Sequence, residues 1–220
     1  MTWLPDNLKN IFNRSFACGM KKLNTIFLTL LAIMIVSMHS MAQSSNQVTE
    51  YLHLPGPVTL LNNTYLLAWS SHPSDNYYKQ EYIPAGDPLD KFHKMVMVDV
   101  LTGSATPSQL AAAKIEELKT LKTTNPVVNY QVYQKDQAIL LDFLVSENAA
   151  DGNSILILER NVYRYVPYKD NAGNTGVLLF ACAERAYANE VMPYLTNLKG
   201  KREELLNAVG NYQLPAIAIK

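Results

Sequence analysis

Along this chain, runs in which every second residue is apolar outnumber helical periodicities, and those runs set the fold class. Residues 58–61 and 64–70 read as strands flanking Asn62-Asn63, because asparagine tolerates the positive φ of a tight hairpin turn. In the second run Tyr65, Leu67 and Trp69 alternate onto one face. Residues 76–83 form a third strand pattern, with Tyr78, Gln80 and Tyr82 on one face and Tyr77, Lys79, Glu81 and Ile83 on the other. Ser71-His72-Pro73-Ser74-Asp75 between them is turn chemistry. A fourth strand covers 95–100. In the second half, Val128, Tyr130 and Val132 share a face, as do Ile139, Leu141, Phe143 and Val145, and 155–168 and 177–187 are longer strands.

Helical signals are few. Asp87-Pro88 predicts a short helix, from a capping carboxylate followed by proline at the first helical position. Thr106-Pro107-Ser108-Gln109 combines an N-cap, a proline and a capping-box glutamine, and predicts a helix with Ala111, Ile115, Leu118 and Leu121 or Lys122 along its stripe and Lys114 outside. Asn125-Pro126 stops it. A last helix starts near 189, with Val191, Leu195, Leu198, Leu205 and Val209 on one stripe. The order is four strands, helix, four strands, helix. It predicts an α+β domain over 57–210: a largely antiparallel sheet of about seven to eight strands flanked by two main helices, with 211–220 as a C-terminal tail. One helix on each face and both on one face satisfy the pattern equally.

Ahead of the domain the pattern changes. Met20-Lys21-Lys22 precedes the apolar run 23–36, and Ser40-Met41-Ala42 supplies small residues at a cleavage position, which together read as a signal peptide over 20–42. The apolar run of about 14 residues is short of the roughly 20 needed to span a bilayer. Residues 1–19 read as an upstream extension, and 43–56 as a loose leader. The expectation is export to the periplasm or the medium, cleavage after Ala42 and no stable membrane anchor afterwards.

Charge and cysteine content narrow the function. The chain carries 19 basic and 19 acidic residues, and Lys9, Arg14, Lys21 and Lys22 precede the cut with only Asp6. The exported part is therefore mildly acidic, without the basic surplus of a nucleic-acid binder. Only Cys182 follows the cut, in an apolar run that predicts a buried, inert thiol, so no internal disulfide is expected.

The densest group of reactive and aromatic side chains is 69–82. Ser70 or Ser71 with His72 and Asp75 has the residue types of a hydrolytic triad but lacks a glycine-framed nucleophile turn. His53, His72 and His93 have no zinc spacing, and no cofactor is expected. Tyrosine suits both half-buried strands and contact surfaces. Trp69, His72, Tyr77, Tyr78, Gln80 and Tyr82 are accordingly the candidate binding residues, with Tyr78, Gln80 and Tyr82 as an exposed strip. Arg160, Arg164 and Glu184 interrupt apolar strands. Arg160 and Arg164 share a face, and they read as cross-strand ion pairing with Glu184 or as an anion site.

Gln80-Glu81-Tyr82-Ile83-Pro84-Ala85-Gly86-Asp87, with Phe92 and Met95 after it, resembles a family of exported bacterial proteins of unassigned function, over about residues 65–100. The element order also resembles the Mog1/PsbP-like fold, an antiparallel sheet flanked by helices. That resemblance implies binding or assembly of protein partners. The chain is thus expected to be an exported, non-enzymatic domain that binds another envelope or secreted component. A small-ligand carrier, with a pocket lined by Trp69 and Phe143, and a hydrolase at 70–75 are the alternatives.

Overall fold

The computed structural model describes residues 48–220 except 151 and 153. The upstream extension, the signal-peptide segment and the first leader residues lie outside the described residues. The strands are β1 (Val58–Leu60), β2 (Asn63–Ser74), β3 (Tyr77–Pro84), β4 (Lys94–Thr102), β5 (Asn129–Lys135), β6 (Ala138–Asn148), β7 (Ile155–Lys169) and β8 (Thr175–Tyr187). The helices are α1 (Pro107–Lys122) and α2 (Val191–Asn211), the second preceded by a 3-10 turn at Ala188–Glu190. The strands form one eight-stranded sheet in the order β1-β2-β3-β4-β8-β7-β6-β5, and every neighbouring pair is antiparallel. The expected α+β class and antiparallel sheet are therefore present.

The helices lie on opposite faces. After β4 the chain crosses by α1 to the far edge, returns through three hairpins to place β8 beside β4, and crosses back along α2. Face A carries Tyr78, Gln80 and Tyr82 of β3, the valines of β4, and Phe180 and Cys182 of β8, and it packs against Leu205, Leu206 and Val209 of α2. Face B carries Phe143 and Tyr163, over which the Lys114 ammonium of α1 lies at 5.4 and 6.0 Å from the ring centres.

The capping box forms as expected. Thr106 Oγ1 accepts from the Gln109 N–H at 3.3 Å, and Gln109 Oε1 accepts from the Thr106 N–H at 2.9 Å. The buried stripe of α1 is rotated from the expected one, because Leu110, Ala111, Lys114 and Leu118 point inward while Leu121 is exposed. Lys114 is tolerated there because its ammonium pairs with Glu117 at 2.9 Å and meets two aromatic faces. Asp87-Pro88 opens turns and no helix. The first hairpin places its positive φ angles at Leu61 and Asn62, one residue earlier than expected, and Asn63 Nδ2 donates to the Leu61 carbonyl.

Two departures reshape the sheet. A bulge between Leu67 and Trp69 puts Leu67 opposite Tyr82 but Trp69 opposite Glu81, so Trp69 faces away from Tyr65 and Leu67. The segment 51–56, expected to be a loose leader, is packed: Leu52 is fully buried and Leu54 nearly so. Its partner is the C-terminal tail, whose Ala218 and Lys220 N–H groups donate to the carbonyls of Leu52 and Tyr51, with Ile217 buried alongside. The ordered unit therefore runs past both expected limits, because two apolar segments at opposite ends of the chain cover face A together.

Candidate functional site

The expected binding strip on β3 is interior. Tyr82 and Gln80 are fully buried, and Tyr78 and Tyr77 are 8% and 7% exposed, so these four form no contact surface. The physical reason on face A is that 51–54 lies over Tyr78, Gln80 and Tyr82 and needs polar partners for its backbone, while Tyr77 is buried on face B beside Asp99. Gln80 Oε1 accepts from the N–H groups of Tyr51 (2.6 Å) and Leu52 (3.1 Å). Its Nε2 donates to the Leu54 carbonyl and to Tyr82 Oη, and the Tyr82 hydroxyl donates to the same carbonyl. His72 is exposed and stacks on Tyr78 with ring centres 4.1 Å apart. Trp69 is 36% exposed on face B, with the Lys79 ammonium 5.8 Å from its ring.

The expected turn at 70–75 is mostly strand, and of the two serines Ser70 shares a face with His72. Residues up to Ser74 continue β2, and the turn is confined to Asp75-Asn76. In a strand, Ser71 and His72 project to opposite faces. His72 spends its ring on the Tyr51 and Tyr78 aromatics. Cys182 is buried, and burial pushes its thiol up to about 12, which leaves no thiolate at neutral pH.

Face B holds a polar row that pattern reading passed over. Tyr77 donates to Asp99 Oδ2 at 2.6 Å, and desolvation holds the Asp99 carboxyl above the usual carboxylate range. Asp99 Oδ1, Asn161 Oδ1 and the Tyr165 hydroxyl are buried without partners among the described residues. Glu81, on the neighbouring row, is pushed up to about 6, chiefly by burial, against an opposing pull from Lys79. A carboxyl whose folded pKa exceeds its unfolded value binds its proton more tightly when folded, so stability falls as pH rises. The expected result is a loss of roughly 2 kcal/mol from Glu81 between about pH 4.5 and 6. Chemical denaturation across that window should show the slope, and Glu81→Gln should reduce it; an unchanged slope would contradict this reading.

Two features of the other end of the molecule remain open to ligands or partners. On face A, α2 and the β5–β6–β7 end enclose a cavity of about 310 Å³ lined by Asn129, Asp142, Leu144, Arg160, Leu195, Leu198, Lys199 and Arg202, with Phe143 beside them. The floor is ionic. Arg160, 1% exposed, donates from Nε to Asp142 Oδ1 at 3.0 Å and from Nη2 to Asp142 Oδ2 at 3.2 Å. Arg202 Nε donates to the same Oδ2 at 2.8 Å, and its carbonyl accepts from Arg160 Nη2. The register does place Arg160 opposite Glu184, as expected, yet Glu184 takes Tyr194 and Lys94 as partners. Arg164 instead donates to the Tyr212 carbonyl. Trp69 and Phe143 share face B but lie on β2 and β6, with β3, β4, β8 and β7 between them in the sheet, so they do not adjoin as the expected pocket requires.

The second feature is β5 itself. Among the described residues it pairs only with β6, in an unbroken register, and closes one end of the sheet order. Six of its seven residues are exposed, Val132 at 45% and Tyr133 at 37%. Asp142, Arg202 and the β5 edge were missed by pattern reading. Asp142 carried a usable signal, since it interrupts an apolar strand just as Arg160 does.

The fold and its two features define an α+β sheet domain with a charged cavity beside an edge strand. Residues 52–214 match the model of a bacterial family of uncharacterised function, and the chain belongs to that family. Nothing matches it among curated proteins or among solved structures.

Proposed function

We propose that this chain is an exported, non-enzymatic domain that binds another envelope or secreted protein, and that it does so by adding an extended segment of that protein to β5. The observation that carries this reading is the edge. An unpaired strand presents a row of N–H and C=O groups ready for another chain, and proteins ordinarily blunt it with proline, bulges, charge or cover. Among the described residues β5 has none of these along its length apart from Lys135 at its end, and its sequence Tyr-Gln-Val-Tyr-Gln favours strands. The opposite edge, β1, is only three residues long, with Val58 and Leu60 turned into the core. Backbone pairing would supply affinity, and the exposed Val132 and Tyr133 side chains, on opposite faces of the strand, would supply selectivity.

The signal-like pattern at 20–42 supports export, and the resemblance to Mog1/PsbP-like element order supports a partner-binding role. A photo-cross-linking residue at Tyr133 in the producing cells tests the reading. One dominant adduct is expected from Tyr133, and it should be lost with Val132→Lys while the unfolding midpoint stays unchanged. Equal adducts from Tyr133 and from a control position at His72 would refute the edge as the binding surface.

A further inference from the structure

We infer that the cavity between α2 and β6–β7 is a binding site for a small amphipathic carboxylate, its acid group held by Arg202 and Lys199 and its apolar part by Leu144, Leu195 and Leu198.

Asp142 and Arg160 already make a complete fork-to-fork pair, with each carboxylate oxygen accepting one guanidinium N–H. One carboxylate neutralises one guanidinium, so Arg202 brings a second cation to a site already balanced. Lys199 brings a third, and it forms no ion pair among the described residues. Glu184, opposite Arg160 on β8, is taken up by Lys94 and Tyr194, so three cations against Asp142 leave an excess of positive charge at the wall of the cavity. Like charges gathered in this way cost stability, and an anion arriving in the cavity offsets that cost.

Chemistry then selects the ligand. Arg202 contributes only Nε to Asp142, and the rest of its planar guanidinium is available to face a planar acid group. The remaining wall is aliphatic: Leu195 and Leu198 of α2 and Leu144 of β6 are half-buried around the opening, neither sunk into the core nor free in water. Apolar walls with a few convergent polar groups are the ordinary form of a small-molecule site, and about 310 Å³ is at the small end of the range for such sites. A small inorganic anion would leave the leucines uncovered, and a neutral apolar molecule would leave the cations unanswered. A carboxylate on a short alkyl chain satisfies both. This inference uses face A and its helix, and it stands independently of strand addition at the β5 edge.

Titration calorimetry on the purified protein with octanoate, octanol and acetate as probes tests it. Octanoate is expected to bind at least tenfold tighter than either octanol or acetate. Arg202→Gln should weaken octanoate about tenfold and Lys199→Gln severalfold, both leaving octanol unaffected. Both side chains reach solvent, so neither variant removes the buried Arg160–Asp142 pair, and an unchanged unfolding midpoint verifies this. Octanoate binding no tighter than octanol, binding indifferent to Arg202→Gln, or no binding of octanoate at millimolar concentration would each overturn the site.

Discussion

Replacing Asp142 with alanine is expected to destabilise the protein by about 3–5 kcal/mol, the scale on which breaking a buried ion pair from one side costs stability. Asp142 is 1% exposed and accepts from both Arg160 and Arg202. Without it the Arg160 guanidinium, itself 1% exposed, keeps only the Arg202 carbonyl as a partner. A charge in that position cannot neutralise itself at any accessible pH. The expected loss is a large share of the roughly 5–15 kcal/mol that holds a typical domain together. Urea denaturation measures it directly. The paired variant Asp142→Leu with Arg160→Met separates the causes: removing both charges should recover most of the stability, since a buried pair contributes little beyond an apolar isostere. A paired variant as unstable as the single one would mean that the site matters by its shape and not by its charge.

Gln80→Leu is expected to release the N-terminal segment. The fully buried Gln80 amide serves two N–H groups and one carbonyl of residues 51–54. Leucine fills much of the same space and serves none of them. The Leu52 N–H keeps Glu50 Oε1 and the Leu54 carbonyl keeps the Tyr82 hydroxyl, so the Tyr51 N–H is the group left unpaired, at roughly 1–3 kcal/mol, and the hold on 51–54 weakens. Peeling the segment away instead exposes Leu52 and Leu54, at roughly 1.5–3 kcal/mol for each fully buried leucine. The cheaper of the two routes sets the outcome, an overall loss of about 1–3 kcal/mol. Hydrogen exchange distinguishes this from a general weakening. The amides of Tyr51 and Leu52 should exchange much faster, and those of Ala218 and Lys220 should follow, because they donate to the same segment. Unchanged protection at all four would show that Gln80 does not hold the two ends of the chain.

Local chemistry made much of this fold legible. The capping box at Thr106 to Gln109 and the alternation of β3 follow from residue types a few positions apart, and both form as expected. What escaped depends on distant residues. The bulge at 67–69 inverts Trp69, and nothing in Leu-Leu-Ala-Trp marks it. Lys114 turns inward because Phe143 and Tyr163, far away in sequence, present their rings to it. The Tyr78–Gln80–Tyr82 strip was correctly placed on one face, yet its exposure depended on whether 51–54 covered it. That segment reads as part of a loose leader until the tail at 217–220 is seen beside it. The same limit applies to the charges. Arg160 was recognisable as an interruption, and its partner was settled by Asp142 on the strand to the other side.

The claim that the β5 edge receives a partner strand is tested most directly by hydrogen exchange on the Tyr133-cross-linked complex. Alternate amides of an edge strand point away from its neighbour and exchange freely until another strand accepts them. The account predicts that the outward amides of Asn129–Lys135 slow at least tenfold in the complex, while those bonded to β6 change little. Outward amides exchanging as fast in the complex as in the free protein would contradict strand addition.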